Sequence, residues 1–374
     1  MKYGPLIIGL LTSYAINAQV VLSSSSFYEI GDSIPIAIDR IPEILDYNPQ
    51  SDGNWDFRIL QAPYKSYITL KSPSAGQAYE PFSQADMVAI HPGGWEEYFQ
   101  IRQGRLLLLG TFGVDPLDMG ITFPMVYDSA LPILQTGMKS GDQYQLSTTA
   151  ATIFPADQLP NTTLRKLPVI PDSLRIVLSI DQKVTVQESG NLRLINNSYE
   201  VLKVRKETKK DFKLEVKTGK LSWQDISALY SNQEKLHPPS VESHHFYTND
   251  KPGSLVDIYL DPQQSNTIDY IQFDALEQNI PAKTFENETA SVLVYPNPAI
   301  VDVIFEFANF PTANYILAIY NLIGIEVWSQ PLLLNGDKTV KFNVSRLNKG
   351  TYWYNVKDEN GKIIYTNRLF VVKP

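Results

Sequence analysis

The densest run of reactive side chains in the chain is His91-Pro-Gly-Gly-Trp95-Glu96-Glu97-Tyr98. It joins a titratable ring, two carboxylates and two aromatics around a pair of glycines. These are the parts of a sugar-binding platform or of a two-carboxylate glycosidase site. Glycoside hydrolysis needs carboxylates that flank one bond, and adjacency in sequence does not establish that convergence. Gly-Gly ahead of Trp-Glu-Glu-Tyr is also a natural hairpin turn, and this structural reading is favoured. No catalytic residue is assigned. His91, Glu96 and Glu97 are the candidates if the body is a secreted hydrolase acting on glycans or peptides.

The remaining chemistry is sparse. There are four histidines and no cysteine, which removes thiol nucleophiles, iron–sulfur clusters and Cys-based zinc sites. His-Glu-x-x-His spacing is absent. Glu242-Ser-His244-His245 is the nearest approach to a ligand cluster, but adjacent histidines on a strand point to opposite faces and cannot easily share one ion. His237 stands apart before Pro238-Pro239. No metal site is assigned. Asp52-Gly-Asn54-Trp-Asp56 alternates oxygen donors, so calcium is the one ion considered. Phe57 falls at the sixth position, where the EF-hand loop needs Gly. A tight turn feeding a strand, with Trp55 and Phe57 on one buried face, is the stronger reading. No other cofactor is expected, since nucleophile-elbow, phosphate-loop and dinucleotide motifs are all missing. Ser140-Gly141-Asp142 reads as a turn.

The elements that must position these residues are strands. Runs such as Ile34-Pro-Ile-Ala-Ile38, Arg105–Leu109, Leu174–Ile180, Lys183–Gln187, Tyr199–Arg205 and Val256–Leu260 are short and bounded by turn residues. That pattern predicts an all-β fold with a sandwich-like body. The 25 prolines agree, because helix interiors and central strands exclude proline. Val201-Leu202 interrupts the alternation and predicts a bulge. Lys203 to Lys220 predicts the solvated face of a hairpin. Ser222-Trp-Gln-Asp225, followed by Ile226, Leu229, Tyr230 and Leu236, has the spacing of a capped helix. Residues 161–171 look like a connector that would divide the body into two units. Apolar residues are 43% of the chain, enough for real cores, and the net charge of −8 gives no basic surface for nucleic acid.

Both ends of the chain concern export. Residues 1–18 place one lysine before a short apolar run, Leu6–Leu11, and end at Ala18, the pattern of a secretory signal peptide. Residues 283–290 are polar and suit a linker. Beyond them, 291–374 opens Val-Leu-Val-Tyr295-Pro296-Asn297-Pro298 and breaks into six or seven short strands with turns at Asn321–Gly324 and Glu359–Gly361, as in an immunoglobulin-like sandwich. Tyr295-Pro296-Asn297-Pro298, Tyr320-Asn321-Leu-Ile-Gly324, Leu347-Asn-Lys-Gly350-Thr-Tyr352 and Phe370-Val-Val372-Lys373 resemble the type A C-terminal sorting domain of the type IX secretion system. The resemblance implies passage through the periplasm of a Gram-negative bacterium and recognition by an outer-membrane translocon. Cleavage by a sortase-like peptidase would follow, with release or attachment to surface lipopolysaccharide.

Gly31-Asp32-Ser33, Gly53–Phe57, Asp172–Arg175 and Tyr199–Arg205 resemble a pattern spanning 27–275 in uncharacterised exported proteins with such a tail, and no activity comes with it. Asp32-Ser33-Ile34, Asp128-Ser129-Ala130 and Asp172-Ser173-Leu174 resemble the acceptor triplet of periplasmic O-glycosylation, although Asp-Ser is also ordinary turn chemistry. The expectation for residues 19–282 is a non-enzymatic surface or secreted binding protein for a glycan or protein ligand, with a secreted hydrolase acting on glycans or peptides as the alternative.

Overall fold

A computed structural model describes residues 19–40 and 53–372, apart from 63, 118, 120, 160–163, 165–166, 168, 231–232, 265, 278–282, 285–289, 296, 309 and 335–337. The expected signal segment, Asp52, most of the expected linker, Pro296 and Lys373 lie outside the described residues. The rest is almost wholly β, as the alternation implies.

Body strands run in order β1 (Ser33–Asp39), β2 (Asn54–Asp56), β3 (Tyr64–Lys71), β4 (Met87–Ile90), β5 (Glu96–Arg102), β6 (Arg105–Phe112) and β7 (Met125–Gln135). They continue as β8 (Gln143–Pro155), β9 (Ser173–Arg193), β10 (Ser198–Lys217), β11 (Gln224–Asp225), β12 (Val241–Tyr247), β13 (Ser254–Leu260), β14 (Ile268–Asp274) and β15 (Lys283–Thr284). Alternation builds them. Along β9, Leu174, Ile176, Leu178 and Ile180 are buried while Asp181 is exposed, each buried aliphatic contributing about 1.5–3 kcal/mol.

These strands form one sheet of fifteen among the described residues, and β9 and β10 pair as well as its more distant members. Setting aside β2, β11 and β15 leaves twelve strands in a closed antiparallel ring: β10, β12, β13, β14, β1, β3, β4, β5, β6, β7, β8, β9 and back to β10. The ring is loosest between β7 and β8, which share one ladder pair, Tyr127 with Ala150. Eight strands close on an interior that side chains just fill, whereas a larger number leaves room inside.

One end of the ring is closed by residues 20–28. Leu22 N–H donates to Met138 O in the β7–β8 turn at 3.0 Å, and Ser26 O accepts from Gly253 N–H in the β12–β13 turn at 2.9 Å. The segment thus crosses from one side to the other, burying Val20, Leu22 and Phe27. At the opposite end Leu117, Phe123, Ile226, Tyr230 and Leu236 pack over β7–β10, and Tyr230 Oη donates to Leu117 O at 3.2 Å. The part of that end beside β1, β3, β4 and β14 is the mouth. Outside the ring, Trp55 and Phe57 pack edge-on against Phe246 at 5.1 and 5.4 Å, on the shared buried face that their spacing predicts.

Several local expectations change. The body is a ring rather than a sandwich, and 161–171 does not separate two sheets, because β8 and β9 on either side of it pair from Gln143 to Pro155. The expected helix at 222–236 is instead β11, a 3-10 turn at Ser227–Leu229 and a helical turn at Gln233–Leu236; Leu214 and β10 take up its backbone, as in Ile226 N–H to Leu214 O at 2.9 Å. The bulge falls between Lys203 and Val204, two residues after the break in alternation. Lys203 and Lys206 are buried, so the solvated ladder begins only beyond them, with Lys209.

The tail has seven strands among the described residues, in two sheets. β16 (Ser291–Tyr295), β17 (Asp302–Ala308) and β20 (Lys338–Asn343) face β18 (Ala313–Tyr320), β19 (Glu326–Leu334), β21 (Gly350–Asp358) and β22 (Ile363–Val371). Phe305, Phe307, Leu317, Ile319, Tyr354 and Val356 fill the space between.

Candidate functional site

Residues directly paired across a sheet share a face, so the inner face can be followed pair by pair. One row runs Lys206, Ser243, Tyr259, Tyr270. The next, deeper row runs Val204, His245, Asp257, Gln272, Ile38. On the far wall Ala89, Glu97, Thr111 and Met125 form a third. A stretch of the interior is therefore polar, where a filled core would be aliphatic. Tyr28, Glu97, Tyr127, Tyr259 and Tyr270 remain half-buried and Lys210 is exposed, although all lie on the inner side. Accessible surface inside a closed ring means a hollow.

The hollow opens at the mouth into a cavity of about 550 Å³ whose lining includes Ser66, His91, Trp95, Tyr270 and Gln272 from the body. Tyr295 and Glu306 of the tail line its other side. Arg40 Nε donates to Glu306 Oε2 at 3.3 Å, Tyr295 Oη donates to the same oxygen at 2.6 Å, and the guanidinium lies 5.5 Å from the Tyr270 ring centre. The tail thus stands beside the opening.

Electrostatics inside the ring follow from desolvation. Burial lowers Lys206 to about 8, against the opposing charges of Asp257 and Glu97. Lys210, which keeps accessible surface but is walled in by the ring, is lowered by the same desolvation. Burial also lowers His245 and keeps Tyr247 and Tyr259 protonated. Burial would raise Asp257, but His245, Ser254 and Lys206 together bring it below its ordinary value. Asp257 Oδ1 is 2.6 Å from His245 Nδ1, its Oδ2 accepts from Ser254 Oγ at 2.7 Å, and Lys206 Nζ donates to Tyr247 Oη at 3.0 Å.

The loop rich in chemistry is a hairpin between β4 and β5. His91 and Trp95 stack with ring centres 3.5 Å apart, and His91 Nε2 is 2.9 Å from Glu97 Oε2. His91, Trp95 and Glu97 therefore meet at the mouth. Glu96 does not join them. It faces outward and accepts from Gln77 N–H at 2.9 Å and Tyr98 Oη at 2.6 Å. His244 also faces outward, 3.1 Å from Glu242, and His237 lies 3.1 Å from Asp211 on the surface. Among the described residues no three His, Asp or Glu converge as metal ligands. In the loop considered for calcium, Asp56 accepts from Arg58 Nε at 2.8 Å. Ser33 and Ser129 are exposed and Ser173 half-buried; Ser33 begins β1 and Ser173 begins β9, whereas Ser129 lies inside β7.

In the tail, the side chain of Asn297 holds the last strand from both sides, donating to Arg368 O at 2.9 Å and accepting from Phe370 N–H at 2.8 Å. Asn321 Oδ1 accepts from Ile323 and Ile325 N–H at 3.1 and 2.9 Å, closing a turn that places Gly324 at φ 81°. Gly350 opens β21, Tyr352 Oη donates to Asn348 O at 2.9 Å, and Val372 N–H donates to Ala299 O at 2.9 Å.

Sequence reasoning missed the inner constellation of Lys206, Ser243, His245 and Asp257. Alternation puts Ser243 and His245 on one face, but only the register of β13 brings in Asp257.

Residues 293–372 match the family described as secretion system C-terminal sorting domain. The tail marks the chain as an exported cargo that engages the type IX secretion machinery, bound for secretion or surface attachment in a Gram-negative bacterium. No curated protein matches the chain. Among solved structures, dimeric latent PorU from Porphyromonas gingivalis aligns with 92% of this chain and 30% of that one, at 9% identity and a TM-score of 0.21. The chain thus spans under a third of that protein, and so slight a likeness carries no argument.

Proposed function

We propose that the chain delivers a ligand-binding barrel to the cell exterior, and that the ligand is a small polar molecule of the sugar type. The observation that supports this most directly is the mouth. His91, Trp95 and Tyr270 offer aromatic surface beside Glu97, Gln272 and Ser66, and aromatic faces with a few placed polar groups are the chemistry of a sugar site. The tail would be recognised by the outer-membrane translocon after passage through the periplasm. A sortase-like peptidase would then remove it, with release or transfer to surface lipopolysaccharide. Exposed Ser33 and Ser129 remain candidates for O-glycosylation, with Ser173 behind them.

Titrating tryptophan fluorescence with neutral mono- and disaccharides tests the binding reading. A saturable change that Trp95→Phe removes is expected, and no saturable change with any sugar contradicts it. Intact mass of the protein recovered outside the native host tests the delivery reading. A chain lacking 291–374 is expected; a surface form that retains those residues contradicts it.

A further inference from the structure

One arrangement on the inner face goes unused by sugar binding. Ser243 and His245 are two apart on β12 and point the same way. Asp257 pairs with His245 across the ladder to β13. Ser243 Oγ is 2.9 Å from His245 Nε2, and His245 Nδ1 is 2.6 Å from Asp257 Oδ1. The imidazole thus has a hydroxyl on one nitrogen and a carboxylate on the other, in hydrogen-bonding contact with both. A buried carboxylate on Nδ1 keeps the proton there and leaves Nε2 as the acceptor for the hydroxyl. Burial, which lowers His245, favours the neutral ring that a general base must be.

The surroundings suit the same chemistry. Lys206 stands directly opposite Ser243 in the ladder and on the same face, an ammonium near the position where an oxyanion would form. Gln272 pairs with Asp257 and lines the mouth cavity, so the constellation lies next to a route from solvent. We propose that Ser243, His245 and Asp257 are a hydrolytic triad for small carboxylic esters that enter the ring through the mouth. The restriction to small esters follows from the burial of Ser243, His245 and Asp257, which a bulky substrate could not reach. The inference rests on the reading that the ring admits ligands.

In the step itself Ser243 Oγ bonds to the ester carbonyl carbon as His245 Nε2 takes its proton, and the carbonyl electron pair moves onto oxygen. Collapse breaks the bond to the alkoxide, which takes the proton from His245. Water then repeats the sequence on acyl-Ser243, releasing the acid and restoring the hydroxyl. Ser243 and His245 are catalytic residues, and Asp257 is a positioning residue.

The test uses the full chain with a small fluorophosphonate, followed by intact mass and peptide mapping, and with p-nitrophenyl acetate as substrate. A single adduct on Ser243 is expected, absent in Ser243→Ala. Losses of kcat/KM of about 10²–10⁴-fold are expected for Ser243→Ala and His245→Gln. Asp257→Asn should lower kcat with KM held, which a purely structural role would not produce. No adduct on Ser243 of the folded chain, or ester hydrolysis unchanged in Ser243→Ala, overturns the proposal. Thiol labelling of Thr208→Cys by a small methanethiosulfonate separates the two readings. If that thiol reacts and Ser243 does not, the chamber stands and the triad falls; if neither reacts, the chamber reading has failed.

Discussion

His244 and His245 are neighbours on one strand, yet one faces the outer surface and the other the chamber, and burial acts on both. His244 is lowered to about 4, first by burial and then by the charge of Lys203. Glu242, its partner, lies below its ordinary value because the guanidinium of Arg205 and His244 outweigh burial. Between its folded value and the ordinary one, the unfolded His244 binds more protons than the folded one, so stability rises with pH across that interval. The lowered Glu242 carboxyl gives the same sign, since its contribution is lost as pH falls. The melting temperature should therefore drop on acidification from pH 6.5 toward 4, and His244→Gln should flatten part of that slope in a pH series of thermal melts. A slope unchanged in the variant would remove His244 as its cause. Gly190 belongs to this scale as well. A Cβ there would meet Gly53 O at 1.9 Å and Trp55 Cζ3 at 2.8 Å. Gly190→Ala should cost about 1–3 kcal/mol by overpacking, read as a lower denaturant midpoint. Legibility in the sequence divides along the same line. The shared face of Trp55 and Phe57 followed from spacing two, whereas Lys206 read as a surface lysine because composition does not say which side of a strand is inside.

At the scale of elements, strands were legible and their closure was not. Alternation and turn residues mark where β9, β10 and the tail strands run, because each depends on local sequence. That β9 pairs with both β8 and β10 and completes a ring depends on register between distant segments, which no local pattern specifies. The 222–236 segment shows the converse error. Its apolar spacing fits a helix, but Ile226, Tyr230 and Leu236 are used to cover one end of the ring, and tertiary packing overrides local propensity. In the tail, the Asn297 side chain joins the Ala299 backbone in tying the start of the domain to β22. Asn297→Ala removes two hydrogen bonds of about 0.5–1.5 kcal/mol each. It should lower the tail's melting transition while leaving the body's unchanged, and reduce the amount of protein exported, both measurable by calorimetry and by immunoblot of the culture medium. Equal export and an unchanged tail transition would contradict that role.

Across the whole molecule the tail and the mouth meet through Arg40, Glu306, Tyr295 and Tyr270. An ion pair with both side chains largely buried loses most when one partner is removed. Arg40→Ala should therefore raise hydrogen exchange in peptides spanning 291–308 and 268–274, without change in strands β8 and β9. No rise there would mean that the contact does not hold the tail at the mouth. The central claim is that the body is a hollow ring with an inside and an outside. The chain has no cysteine, so single substitutions report on each face. Thr208 lies on the inner face, where Gln182 Nε2 donates to its hydroxyl at 2.9 Å, and Lys209 is the next residue on the outer face. The direct measurement compares Thr208→Cys with Lys209→Cys against a small methanethiosulfonate and a bulky polyethylene-glycol maleimide. The thiol at 209 should react with both reagents and the thiol at 208 with the small one alone. Equal reaction of both positions with the bulky reagent, or no reaction at 208 with either, would contradict the hollow ring.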